Sequence, residues 1–445
     1  MVKSIYIKIL KLGFPILIGQ IGMILVGFAD TKMLGLYSTE ALASASFVNN
    51  LFNVCIFACI GFTYGVTPLV GALYGQKRTN RIGEIVKNAL LLNVVFTLIV
   101  SAIMVIVYLN LDHLGQPEEL LPLIRPYYLI FLSGLIPISV FNVFAQWSYG
   151  INRTKMPMWI ILCANAFNIF GNWILIYGNL GCPELGLNGA GYSTLISRLI
   201  CPIVIILVFC CNKTYTGYKS GFQKGTIKWE DLKVVAKTSF PVSLQMTFES
   251  GSFTGSAVMA GWLGAIQLAA LQVILVLGTL GFCVYYSLAS AVAVVVSNDA
   301  GDNDTRAMRK TAFAGYHVLL VCATIASVIF FVFGRPLLEQ FTQDPAVEEV
   351  AIALIIPLIL YQYADATQIN FSNALRGTSK VLPMIWIAFV SYIVVGLPAT
   401  YILGFTLNLE LYGIVLSYTV SLLSAATLFL IFFLRATRRT SPSTA

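Results

Sequence analysis

The sequence predicts an all-α polytopic membrane protein, with twelve transmembrane helices in two six-helix bundles related by a parallel internal repeat. Three observations carry that expectation. Only 10% of the 445 residues are charged while 58% are hydrophobic, whereas a water-facing surface keeps ordinary domains near about 25% charged. The apolar residues gather into runs long enough to cross hydrocarbon, which takes about 20 residues each. The second half of the chain repeats landmarks of the first at a nearly constant spacing. Composition by itself excludes a soluble enzyme, a disordered chain and a free nucleic-acid binder. The lipid bilayer is the solvent this chain requires.

The first six apolar runs fall at roughly 12–34, 47–74, 88–109, 122–148, 157–177 and 189–211. The second six fall at roughly 238–262, 268–298, 312–333, 350–374, 382–404 and 412–434. They are continuous rather than alternating and far longer than barrel strands, so they read as helices. The first run follows a few lysines, as a signal peptide would, but it is too long for a signal core and contains Asp30, which makes it the first span.

Most of the 27 lysines and arginines lie in alternate connections. Examples are Lys77, Arg78 and Arg81 after the second run, Lys213 to Lys237 between the halves, and Arg306, Arg309 and Lys310 after the eighth. Basic loops stay on the cytoplasmic side, which places both termini in the cytoplasm of a cell with the protein in its plasma (inner) membrane. The net charge of +8 therefore records topology and implies no nucleic acid. The nine cysteines show no metal-ligand spacing, and His113 and His317 stand far apart. No cofactor is expected, and no metal beyond a coupling Na+.

Duplication is visible residue by residue. Lys11-Leu-Gly-Phe-Pro15 recurs as Lys237-Thr-Ser-Phe-Pro241, Leu42-Ala43 as Leu268-Ala269, and Gly75 as Gly301, each 226 positions later. Pro157 and Pro383 keep the same spacing. A six-helix unit copied in tandem keeps its orientation, so the halves should relate by an axis along the membrane normal, as parallel-repeat transporters do. The expected domains are an N-terminal bundle (1–212), a cytoplasmic linker (213–237), a C-terminal bundle (238–434) and a cytoplasmic tail (435–445).

A charge in hydrocarbon is costly, so an intramembrane carboxylate is a functional candidate. Three stand out: Asp30 in the first span, Glu249 in the seventh and Asp365 in the tenth. Tyr361 precedes Asp365 by four residues and shares its helix face, with Gln362, Gln368 and Asn370 nearby. Two carboxylates among neutral oxygens suit a hard cation such as Na+; the same pair, desolvated and mutually repelling, suits a proton. In the first half Asn168 and Asn172 lie four apart, positioned to meet Asp30 and Thr194. Pro15 frees a backbone carbonyl and permits a kink. Arg198, also inside a span, can neutralise a carboxylate or extend to an interface; the second reading is favoured.

Several motifs stand together. Phe14-Pro15, Ala29-Asp30 and Gly35 are followed by Leu42-Ala43 and Gly71-Ala72-Leu73-Tyr74-Gly75. Next come Gly150-x3-Thr154-Lys155-Met156-Pro157, Asn168-x3-Asn172 and Gly178-x4-Pro183-x2-Gly186-x2-Gly189-Ala190. Glu249 and Tyr361-x3-Asp365 complete the set. Over essentially its whole length the chain resembles the multidrug and toxic compound extrusion (MATE) transporters, most similar to their NorM-like branch. The resemblance implies a monomeric antiporter, not an enzyme, that exports small organic, often cationic, compounds by alternating access as Na+ or H+ enters. It implies a C-lobe cation site of Glu249, Asp365 and Tyr361, and an N-lobe polar network of Asp30, Asn168, Asn172 and Thr194. Another branch carries Asp at the position of Asn172, which leaves Asp30 as the one evident carboxylate of this network. A lipid or oligosaccharide-lipid flippase of the same superfamily is the alternative reading.

Overall fold

Hydrocarbon supplies no hydrogen-bond partners, so a spanning backbone satisfies its polar groups within each helix. The computed structural model, which describes residues 2–115, 117–341 and 344–438, follows that rule: helices account for nearly all of the described chain. Among the described residues, ten helices are long and apolar enough to cross a membrane. In the first half they are Ser4–Tyr37, Thr39–Gly75, Thr79–Leu109, Glu118–Gly150, Lys155–Tyr177 and Gly186–Cys211. In the second half they are Ala265–Gly301, Thr305–Leu338, Pro383–Thr406 and Glu410–Ala436. Pro345–Ala353 and Ile355–Gly377, bent by 51° at Leu354, make an eleventh as one broken span. The seventh expected run lies within the 35-residue helix Trp229–Leu263, whose stretch from Ser239 to Ser256 is rich in Ser, Thr and Gln around Glu249. Twelve helical segments thus stand where twelve runs are expected. Of the expected tail, residues 439–445 lie outside the described part.

Local chemistry ends these helices. Ser38 accepts from the Ala41 amide at 3.2 Å and starts the second span. Asp304 accepts from the amides of Arg306 and Ala307 at 3.0 Å each and starts the ninth. Gly178, at φ +69°, closes the fifth in the left-handed conformation that glycine adopts freely. The C-terminal carbonyls are met by cations, which the helix dipole favours there. Lys219 donates to the Cys210 carbonyl at 2.9 Å. Arg309 donates to the Leu434 carbonyl at 2.9 Å, and Lys380 to the Ala436 carbonyl at 3.0 Å. The eleventh span departs from α geometry, with π-helical turns at Phe389–Gly396 and Ile402–Thr406.

The chain divides into two compact units. One runs from Ile18 to Ser239; the other joins the chain up to Leu17 with the chain from Phe240 onward. The divisions fall beside the repeat-related prolines Pro15 and Pro241, each inside a continuous helix. These limits differ from the expected 1–212 and 238–434 in two ways. First, the opening half of the first span belongs with the second half of the chain. Gly13 lies so close to the eighth span that a Cβ there would meet the Leu288 Cα at 3.1 Å, and the Tyr6 hydroxyl meets His317 Nδ1 at 3.0 Å.

Second, the connection 213–237 folds onto the first unit. Its helix Thr216–Lys224 crosses the start of the third span at backbone contact: a Cβ on Gly221 would lie 1.9 Å from the Asn80 carbonyl oxygen. Tyr215 and Tyr218 pack with Trp147 at ring separations of 5.1 and 5.7 Å, and Phe209 reaches it at 4.9 Å. Lys87 donates to the Gly225 carbonyl at 2.8 Å, and the Lys228 amide donates to Asn88 Oδ1 at 3.1 Å. Arg81 pairs with both Asp231 and Glu84. A stretch that composition marks as a tether is held by packing and charge.

The Gly221 crossing is testable because the clash is backbone against backbone. Gly221→Ala should lower the thermal unfolding midpoint of the purified protein by about 5 °C, the effect of overpacking by about 1–3 kcal/mol. Gly27→Ala, at a helical position with nothing within 4 Å, should leave the midpoint unchanged or raise it. Scanning fluorimetry of both variants checks the contrast.

Candidate functional site

In the second unit, four helices bring polar side chains to one place. Tyr361 and Asp365 sit one turn apart on the tenth span, with 8% and 1% of their surfaces exposed. Glu249, on the seventh, is close enough for Asp365 to feel its charge. Gln245, one turn before Glu249, donates to Glu249 Oε2 at 2.9 Å. The eleventh span supplies Tyr392, whose hydroxyl lies beside Glu249 and accepts from Gln368 Nε2 at 2.8 Å. Tyr285, on the eighth, donates to Gln362 Oε1 at 2.8 Å. The expected Glu249, Asp365 and Tyr361 therefore come together.

Buried polar atoms ordinarily find partners, so the exceptions matter. Asp365 Oδ2, Gln368 Oε1 and Gln362 Nε2 are buried and meet no hydrogen-bond partner among the described residues. Two of these orphans are acceptor oxygens, on the helix that faces the Glu249 carboxylate. Such a donor set of two carboxylates, amide oxygen and phenol suits a small hard cation or a proton. No group of three His, Cys, Asp or Glu side chains able to hold a metal occurs among the described residues. Asn370, expected near Asp365, turns away and donates to the Ala312 carbonyl of the ninth span at 3.1 Å.

The first unit holds a second polar cluster. Asn172, fully buried, donates from Nδ2 to Asp30 Oδ1. Asn168 fits with its amide nitrogen toward the same carboxylate: it then donates to Asp30 Oδ1 at 3.0 Å and accepts from the Thr194 hydroxyl at 3.1 Å. Ser193 donates to the Asn168 carbonyl at 2.7 Å and draws the fifth and sixth spans together. The expected Asp30, Asn168, Asn172 and Thr194 thus form one network. Pro15 lies outside it, in the other unit.

Two further side chains, Arg198 and Tyr127, adjoin this network. Arg198 lies one turn beyond Thr194 on the sixth span. It does not extend to an interface: its guanidinium covers the Phe131 ring at 4.3 Å and crosses Gly134, where a Cβ would meet its side chain at 2.9 Å. Its charge acts on Asp30 and on Tyr127, which is 5% exposed and feels both groups. The signal was available, because Thr194 and Arg198 share a helix face at four-residue spacing. For Gln245 the same spacing from Glu249 was available. Tyr392 had no sequence signal, since nothing places the eleventh span against the seventh.

The family model described as MatE matches twice, at residues 15–174 and 241–402, and the two matches begin at the paired prolines of the repeat. The protein described as "Probable multidrug resistance protein NorM" of Geobacillus kaustophilus is 28% identical over 436 residues, 97% of this chain and 95% of that one. Its namesake in Oceanobacillus iheyensis is 30% identical over 90% of each chain. Among solved structures, a MOP superfamily transporter from Pyrococcus furiosus superposes with a TM-score of 0.89 at 17% identity, covering 98% of this chain and 97% of that one. The outward-facing conformation of a multidrug resistance MATE family transporter of the MOP superfamily also gives 0.89, at 18% identity over 97% and 96%. The paired matches, which together span most of the sequence, and the relatives over nearly its full length establish that this chain belongs to the MatE family.

Proposed function

We propose that the protein is a multidrug efflux transporter of the plasma (inner) membrane that works as a cation-coupled antiporter. Na+ or H+ binds at Glu249, Asp365 and Tyr361, and its entry drives export of small organic, often cationic, compounds by alternating access. The observation that carries this reading is the buried Asp365 carboxylate, with one oxygen free, beside the charge of Glu249. Two such groups in a membrane interior are costly without a cation. A cation arriving from outside relieves that cost. Its binding free energy differs between conformations and so can bias an alternating-access equilibrium. The similarity to multidrug resistance proteins supports drug export as the cargo side of the exchange. The basic connections support cytoplasmic termini, and a single chain holds both sites, which suits a monomer.

Asp30 with Asn168, Asn172 and Thr194 is the second half of the proposed mechanism. A carboxylate held by two amides offers a counter-charge for a cationic compound. Pro15, next to the division between the units and fifteen residues from Asp30 on the same helix, is a place where that helix can bend as the site fills. A flippase for an acidic lipid would need a net positive site, whereas here the single Arg198 is offset by Asp30.

Purified protein in liposomes, loaded with a fluorescent cationic dye under separate Na+ and proton gradients, tests the coupling. Glu249→Gln and Asp365→Asn should each reduce gradient-driven export to about a tenth or less, about 1.4 kcal/mol or more in activation free energy, with insertion and folding retained. Undiminished export in both variants would refute the C-lobe assignment. The N-lobe has a separate readout: Asp30→Asn should weaken dye binding several-fold and leave cation binding at the C-lobe intact. Equal dye affinity in variant and parent would count against it.

A further inference from the structure

The tenth span carries two buried glutamines beside Asp365, and they are turned in opposite ways. Gln362 spends its Oε1 on the Tyr285 hydroxyl, which donates to it at 2.8 Å. Gln368 instead donates from Nε2 to the Tyr392 hydroxyl at 2.8 Å. That hydroxyl has one proton, which goes to the Glu249 carboxylate. An ionised carboxylate only accepts. With its proton engaged there, the phenol oxygen accepts from Gln368, and this fixes the amide with nitrogen toward Tyr392 and oxygen away from it. Gln368 Oε1 is thereby left buried with no partner among the described residues, on a side chain 1% exposed.

Gln368 follows Asp365 by three residues, so the two share a helix face. Asp365 Oδ2 is likewise buried and without a partner. Asn373 Oδ1 is unmatched as well, but eight residues beyond Asp365 it lies about 12 Å farther along the helix. Tyr361, one turn before Asp365, is reached by the charge of both carboxylates. A proton bridges at most two oxygens. A hard metal cation takes several at once, carboxylate and amide carbonyl alike, and so draws on Glu249 and the Tyr361 phenol together with the two unmatched oxygens.

We propose that Gln368 is a direct ligand of the coupling cation, its Oε1 joining Glu249, Asp365 and Tyr361, and that this further oxygen selects Na+ over the proton. The proposal rests on the antiport reading above and deepens it: the site is committed to Na+, and the choice of ion is given to a residue outside the carboxylate pair. Tyr392 is then a positioning residue, which holds the amide oxygen toward the ion while Glu249 is ionised.

Two substitutions separate a ligand from a packing contact. Gln368→Met keeps the length of the side chain and removes the amide. Gln368→Glu keeps an oxygen there and adds a proton that Na+ must displace. Equilibrium binding of radiolabelled Na+ to the purified full-length protein is measured across pH for the parent, both variants and the Glu249→Gln, Asp365→Asn double variant. Proton uptake without Na+ is measured alongside, as the difference from the double variant. The parent should bind Na+ saturably. Gln368→Met should weaken Na+ at least about tenfold and keep the proton uptake of the carboxylate pair. Gln368→Glu should bind Na+ at least as tightly as the parent at alkaline pH, with a steeper pH dependence. A thermal unfolding midpoint identifies a variant that fails to fold; if that is Gln368→Met, the pH dependence of Gln368→Glu carries the test, and its absence overturns the proposal. Equal loss of Na+ in both variants at alkaline pH points to the Tyr392 bond alone and overturns it, as does a parent that takes up protons but no Na+. Full Na+ affinity in Gln368→Met, with binding lost in the double variant, overturns this proposal and leaves the C-lobe assignment standing. Na+ binding that survives in the double variant overturns both.

Discussion

The exclusion of unpaired charge from hydrocarbon shapes this protein more than any other constraint. It forces the backbone into helices and pushes lysine and arginine into the connections. It also makes each intramembrane ionisable group depend on specific neighbours. Asp30 is held by two asparagine amides, Glu249 by Gln245 and the Tyr392 hydroxyl, and Arg198 by the face of Phe131. Asp365 is the exception, buried with one oxygen unanswered. The same physics that assembles the bundle thus marks where a mobile cation is worth most.

Duplication gave both halves the same helices but not the same chemistry. The repeat-related prolines stand at matching places, next to the two points where the chain passes from one compact unit to the other. The polar sites diverged around them. One half keeps its acids on the seventh and tenth spans, while the other keeps a single acid on the first span and surrounds it with amides. A pair of acids binds a small cation. A single acid among amides, with an arginine across from it, is better matched to a larger organic ion.

Much of this was legible in the sequence because membranes simplify the code. Hydropathy locates most of the spans, and an acid within one is conspicuous. Asn168 with Asn172, and Tyr361 with Asp365, were readable because four-residue spacing fixes a shared helix face. The rest needed tertiary structure. Tyr392 reaches Glu249 only through the packing of the eleventh span against the seventh, which no local pattern encodes. The connection 213–237 looked like a solvated tether because lysine, glycine and threonine are typical of one; its glycines instead permit backbone contact, as Gly221 shows against Asn80. Several basic residues of the connections also cap helices: Lys219, Arg309 and Lys380 each donate to a terminal carbonyl. Arg198 was misjudged because a long cationic side chain in a span usually escapes to an interface, and only Gly134 explains why this one lies inward.

The most direct measurement is equilibrium cation binding to the purified protein, by radiolabelled Na+ and by proton release, in the parent and in a Glu249→Gln, Asp365→Asn double variant. A coupling site built from these two carboxylates predicts saturable uptake of Na+ or of a proton by the parent and its disappearance in a double variant that still folds and still binds dye. Saturable binding of the same stoichiometry and affinity in the double variant would place the coupling cation elsewhere and contradict the proposed mechanism.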